Sequence, residues 1–135
     1  MALMEWKDKY SVNVPTIDTQ HQNLFATINE LFDAMRSGTG AKLVPEILTR
    51  LVAYTRQHFS AEEALMKRTG YPSYPAHKAE HDKLTGEVVK LARDMEAGKV
   101  ALSVHLLEFL RNWLQNHILS SDQKYSEHLR AAGVR

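Results

Sequence analysis

A 3.6-residue spacing of apolar residues recurs four times along this chain, and each time a histidine occupies the apolar stripe. Ile17, His21, Leu24, Ile28, Leu31 and Met35 form the first stripe. Val44, Ile47, Leu48, Leu51, Val52, Thr55, His58, Glu62 and Leu65 form the second. His77, His81, Leu84, Val88, Leu91 and Met95 make the third, and Leu106, Leu110, Trp113 and His117 the fourth. Asp18 and Ser103 are expected caps, Pro45 and Pro75 fit first turns, and "SGTG", "TGYPSYP" and Gly98 mark helix ends. No segment alternates with period 2, and short links favour antiparallel neighbours. The expected fold is all-α, an up-down-up-down antiparallel four-helix bundle over residues 17–122. A non-helical N-terminal arm, 1–16, precedes it, with Trp6, Val12 and Val14 available to pack on the bundle. A C-terminal tail, 123–135, follows, and 1–135 reads as a single domain.

Composition narrows the function classes. Lys plus Arg total 17 and Asp plus Glu total 16, with no basic block, which argues against nucleic acid as a partner. No apolar run approaches the roughly 20 residues of a transmembrane helix. The start, "MALMEWKDKY", lacks the apolar core of a secretory signal, so a cytoplasmic location is expected. Balanced charge favours a monomer. The chain has no cysteine, so any metal must be held by nitrogen and oxygen.

The polar residues on the stripes form a pattern. An isolated buried carboxylate costs several kcal/mol, roughly, unless it is paired, protonated or bound to a cation. Residues i and i+4 lie only about 40° apart on a helix, so His58 with Glu62 and His77 with His81 can each converge on one point. His21 and His77 come early in helices one and three, and His58 and His117 late in helices two and four. In an up-down bundle all of them reach the same end. Asp122 is harder to place, because five residues after His117 is about 140° round an ideal helix. To share the site it needs a wide turn, a frayed end or a long reach. His105 and His128 extend no pair and are expected to face solvent. Five imidazoles and two carboxylates exceed what one ion with an open position uses, and suit two ions bridged by the carboxylates. Iron, zinc, manganese and copper all accept such donors.

The stretches "SVNVPTIDTQHQNLF", "HFSAEEALM", "YPAHKAEHDKL" and "LQNHILSSDQKY" together resemble the single-domain bacterial hemerythrins over nearly the whole chain. The H-x3-E, H-x3-H and H-x4-D set with an upstream Q-H carries the resemblance. It implies two iron ions, one held by His77, His81 and His117 and the other by His21 and His58. Glu62 and Asp122 would bridge them, with a hydroxide or oxide as third bridge. Glu63, adjacent but at the wrong spacing, is not the bridge. The implied activity is reversible dioxygen binding for transport, storage or delivery to an oxygen-consuming enzyme, with no catalytic residues.

By their offsets from the ligands, Leu24, Phe59, Trp113, Leu114 and Ile118 resemble the family's oxygen-pocket positions, and Tyr125 resembles a tyrosine that supports the site. An oxygen or redox sensor and a di-iron oxidase or peroxidase are the competing classes. Ferritin-like di-iron enzymes use more carboxylates and Glu-x-x-His pairs, which this chain does not place on its core stripes.

Overall fold

The computed structural model describes residues 4–38, 40–98 and 104–134, without the side chains of 40–42 and 104. Helix α1 spans Pro15–Arg36, α2 Gly40–Thr69, α3 Tyr74–Glu96 and α4 Val104–Asn116. A π-helical turn, His117–Asp122, continues α4 directly into α5, Gln123–Ala131. These last three segments make one helix, the fourth of an antiparallel bundle, and no strand occurs among the described residues. None of the described helices is long and apolar enough to cross a membrane.

The stripes supply the core. Ile17, Leu24, Ile28 and Leu31 of α1 are fully buried, as are Leu51 of α2 and Val88 of α3. Each such side chain stabilises the fold by about 1.5–3 kcal/mol relative to exposure. In the fourth helix the expected Leu110, Trp113 and His117 are buried, and only the first position of the stripe moves, from Leu106 to Leu107. Leu107, Leu110, Trp113 and Leu114 are buried, whereas Leu106 is only half-buried.

Helix ends follow local chemistry, with two departures from expectation. Because α1 begins at Pro15, Asp18 sits a full turn inside it and cannot be the N-cap. Its carboxylate turns back and accepts hydrogen bonds from Ser11 Oγ at 2.6 Å and Val12 N at 2.9 Å, fixing the arm. Since α2 begins at Gly40, Pro45 falls inside the helix, beyond the first turn. Its ring removes one backbone donor there. The cap expected at Ser103 lies outside the described residues. Pro75 does occupy the first turn of α3. Helix α2 closes with Gly70 at φ 70°, Gly70 N–H donating to Lys67 O and Tyr71 N–H to Met66 O. This Schellman pair favours glycine for its left-handed backbone.

The arm carries a 3-10 turn, Asp8–Tyr10, and buries Tyr10, Val12 and Val14, while Trp6 packs against Tyr10 and Phe25. The segment after Asp122 is helical to Ala131, not a separate tail, because Tyr125, Ser126 and Leu129 are buried against the bundle and arm. Ser126 Oγ donates to Val12 O at 2.5 Å, and Gln123 Nε2 to Ser11 O at 3.0 Å. Among the described residues the buried apolar side chains fall into two clusters. One runs from Leu24 and Phe59 through Val88 to Ile118, and the other joins Val12, Val14, Ile17, Met66, Tyr125 and Leu129. Along the first, second and fourth helices the switch between clusters occurs at a buried polar residue: His21 between Ile17 and Leu24, Glu62 between Phe59 and Met66, Asp122 between Ile118 and Tyr125. The candidate site is this polar layer.

Candidate metal centre

His21, His58, Glu62, His77, His81, His117 and Asp122 are all at least 95% buried. Their inward atoms form two overlapping groups, each with its ligand atoms within 4.8 Å of one another. One group is Glu62, His77, His81, His117 and Asp122; the other is His21, His58, Glu62 and Asp122. The two carboxylates are common to both.

The π turn resolves the placement of Asp122. Its i→i+5 pattern adds one residue to the helical turn, so residues five apart face the same way. Asp122 Oδ1 lies 3.0 Å from His117 Nε2 and 3.1 Å from His77 Nε2, while Oδ2 lies 3.0 Å from His21 Nε2. The carboxylate therefore shows one oxygen to each group. Glu62 Oε1 lies 2.8 Å from His58 Nε2 and 3.5 Å from His81 Nε2. Its Oε2 accepts a hydrogen bond from the Tyr125 hydroxyl.

The outward edges of three imidazoles are braced. His58 Nδ1–H donates to Gln20 Oε1 at 2.6 Å, His81 Nδ1–H to Glu63 Oε2 at 2.8 Å, and His117 Nδ1–H to Glu80 Oε1 at 2.7 Å. Each brace comes from the preceding helix, and each lies next in sequence to a residue of the cage: Gln20 to His21, Glu63 to Glu62, Glu80 to His81. One step along a helix turns a side chain by about 100°, from the cage toward the neighbouring helix. Ser121 Oγ in turn donates to Glu80 Oε2 at 2.5 Å. The composition of the stripes gave no sign of this outer ring. A polar residue beside each cage residue was the available signal.

These donors fit metal ions. With Nδ1 as the donor atom, each braced ring presents an Nε2 lone pair inward. His81 Nε2 and His117 Nε2 face each other at 3.2 Å, an approach that two lone pairs resist unless a proton or a metal ion lies between them. The inward Nε2 atoms of His21, His58 and His77, with Glu62 Oε1 and both Asp122 oxygens, are buried without a hydrogen bond. Their short separations are ion-pair distances not directed as hydrogen bonds. Bonds of about 2.1 Å to an octahedral metal put neighbouring donors about 3 Å apart.

The electrostatics agree. Burial opposes a charge on His117, yet Asp122 and Glu80 outweigh it and push the group up to about 10. Burial carries His81 the other way, down to about 4. Asp122 is buried, but His117, His21 and His77 hold its carboxyl well below the ordinary range. Burial and the Glu62 carboxylate keep Tyr125 protonated, as a donor must be. A field that favours positive charge beside two buried carboxylates favours cations.

Leu24, Phe59, Trp113, Leu114 and Ile118 are all buried in the cluster on one side of the polar layer. The Phe59 ring stacks on His81 at 3.8 Å between centroids, with the planes 2° apart. Trp113 Nε1–H donates to Leu84 O at 3.3 Å. His105 is exposed, as expected. His128 is not: half-buried, it places Nε2 3.0 Å from Thr69 O and braces the end of α2.

The chain is similar to known proteins. Residues 12–129 match the family model described as Hemerythrin HHE cation binding domain. The chain is 37% identical to a bacteriohemerythrin of Methylococcus capsulatus over 132 residues, covering 97% of this chain and 100% of that one. It is 36% identical to a bacteriohemerythrin of Stenotrophomonas maltophilia, covering 97% and 84%. A crystal structure of wild-type hemerythrin superposes with a TM-score of 0.88 at 36% identity, covering 95% of this chain and 98% of that one. The chain belongs to the hemerythrin family.

Proposed function

We propose that this protein binds dioxygen reversibly at two iron ions, for transport, storage or delivery to an oxygen-consuming enzyme. The observation that carries this reading is the unequal pair of ligand groups sharing Glu62 and Asp122. His77, His81 and His117 would hold one iron, His21 and His58 the other, with a hydroxide or oxide as third bridge. The two-histidine side has one side-chain donor fewer, and so leaves room for a small ligand. When bound, an iron pair supplies one electron from each metal, which it takes back when the ligand leaves.

The protein's part is to hold and to exclude. Glu62 and Asp122 offset the metal charge inside a buried layer. Tyr125 fixes one Glu62 oxygen. Gln20, Glu63 and Glu80 fix the rings that point inward. Leu24, Phe59, Trp113, Leu114 and Ile118 would form the apolar wall that keeps water and stray protons out of the site. A nitrogen-rich cage with two carboxylates supports binding over turnover. A cytoplasmic monomer belongs to the same reading.

Iron analysis after anaerobic loading with ferrous iron tests it. The wild-type chain is expected to hold two irons, and Asp122→Ala fewer than two. One iron in the wild type would sink the paired assignment.

A further inference from the structure

We propose that Gln20 sets the reduction potential of the metal held by His21 and His58, by keeping His58 a weaker donor than its counterparts across the cage. The proposal rests on the di-iron reading above and deepens it. Three imidazoles are braced in the same way, but the acceptors differ in charge. His81 and His117 donate to carboxylates, whereas His58 donates to the neutral amide of Gln20 at 2.6 Å. His21 Nδ1 has no hydrogen-bond partner among the described residues. The groove outside His58 is lined by Gln20, Asn23, Tyr54 and Gln57, none of them charged at neutral pH.

A carboxylate that accepts an Nδ1–H bond draws the proton toward itself and enriches the ring, so Nε2 becomes a better donor. A better donor favours the more highly charged ion, ferric over ferrous. One half of the cage has two such rings and the other has none. Reduction adds one electron to a ferric ion and leaves every ligand in place. It is therefore easier on the Gln20 side, which is also the side with room for a ligand. A ferrous ion kept ferrous there is what repeated ligand binding requires. The upstream Q-H pair thus has two roles: His21 binds from its own helix, and Gln20 tunes the ligand on the next one.

The test uses the full iron-loaded chain and spectroelectrochemical titration of its two one-electron couples. Q20E is expected to raise the preference for ferric over ferrous iron about tenfold, a fall of about 59 mV in one couple. E63Q removes a carboxylate from the other half and is expected to raise the other couple. Zinc binding to the metal-free chain supplies a redox-silent readout: Q20E tightens one zinc site and Q20A weakens it about tenfold or more. Unchanged or raised potentials in Q20E would overturn the proposal. Equal loss of zinc affinity in Q20E and Q20A would reduce Gln20 to packing and overturn it too. A wild-type chain that binds fewer than two zinc ions would overturn the paired-site reading itself, and the proposal with it.

Discussion

His117 and Asp122 lie five residues apart, yet His117 Nε2 and Asp122 Oδ1 are 3.0 Å from each other. The helix widens into a π turn between them and brings both to one face. A π turn is equivalent to one residue inserted in an α-helix, so its removal and its extension have opposite consequences. Deleting the exposed Ser120 leaves the two ligands at i, i+4, still aligned in a plain α-helix. That variant is expected to keep two metals. Inserting an alanine after Ser120 turns the carboxylate away, and metal content is expected to fall below two. Elemental analysis of both variants checks the pair.

Replacing His77 with alanine removes an imidazole that faces Asp122 at 3.1 Å and sits beside the Tyr125 ring. It is expected to cost iron and to lower the unfolding midpoint of the loaded protein, since bound metal stabilises the native state by mass action. His105→Ala, at an exposed position, is expected to change neither. If His77→Ala kept its full iron complement, the ligand assignment would be wrong.

Tyr125 is fully buried and donates to a carboxylate of the cage. Tyr125→Phe keeps the ring and deletes the donor. A hydrogen bond to a charged group contributes about 1.5–3 kcal/mol, so denaturant unfolding of the metal-free variant is expected to show a loss of that order. The ring still fills its place in the cluster with Val14 and Leu129, so the fold is expected to persist.

Metal-free protein is expected to be most stable near neutral pH. Burial takes His81 down to about 4, below its ordinary 6.5. Between those values the unfolded chain binds the extra proton, and stability rises with pH. Despite burial, Asp122 and Glu80 take His117 up to about 10. Above 6.5 the folded chain therefore holds the extra proton, and stability falls as pH rises toward that value. The His117 bond takes Glu80 down to about 2, so its contribution, present above 4.5, is lost on further acidification. Thermal midpoints across this range are expected to form a dome with its top near pH 6.5, flattened when metal replaces protons on the rings. A midpoint rising steadily to pH 10 would contradict the assignment.

The fold was legible because amphipathic helices write their period into the sequence, and the cage because its histidines interrupt that period at matching heights. The π turn was not legible. Only the five-residue step from His117 to Asp122 hinted at it, and three local geometries fitted that step equally well. Asp18 and Pro45 were misplaced because each depends on where a helix begins, and Val14, the residue before α1, offers no side-chain cap. His128 looked solvent-facing because its partner, the carbonyl of Thr69, is backbone and has no sequence signature. Gln20, Glu63 and Glu80 were missed as braces because their partners lie on other helices, 18 to 38 residues away.

The most direct measurement is visible absorption of iron-loaded, anaerobically reduced protein while oxygen is admitted and then removed. A charge-transfer band that rises with oxygen and vanishes on deoxygenation, over repeated cycles, is the expected result. A band that never forms, or oxidation that deoxygenation does not reverse, would contradict reversible binding.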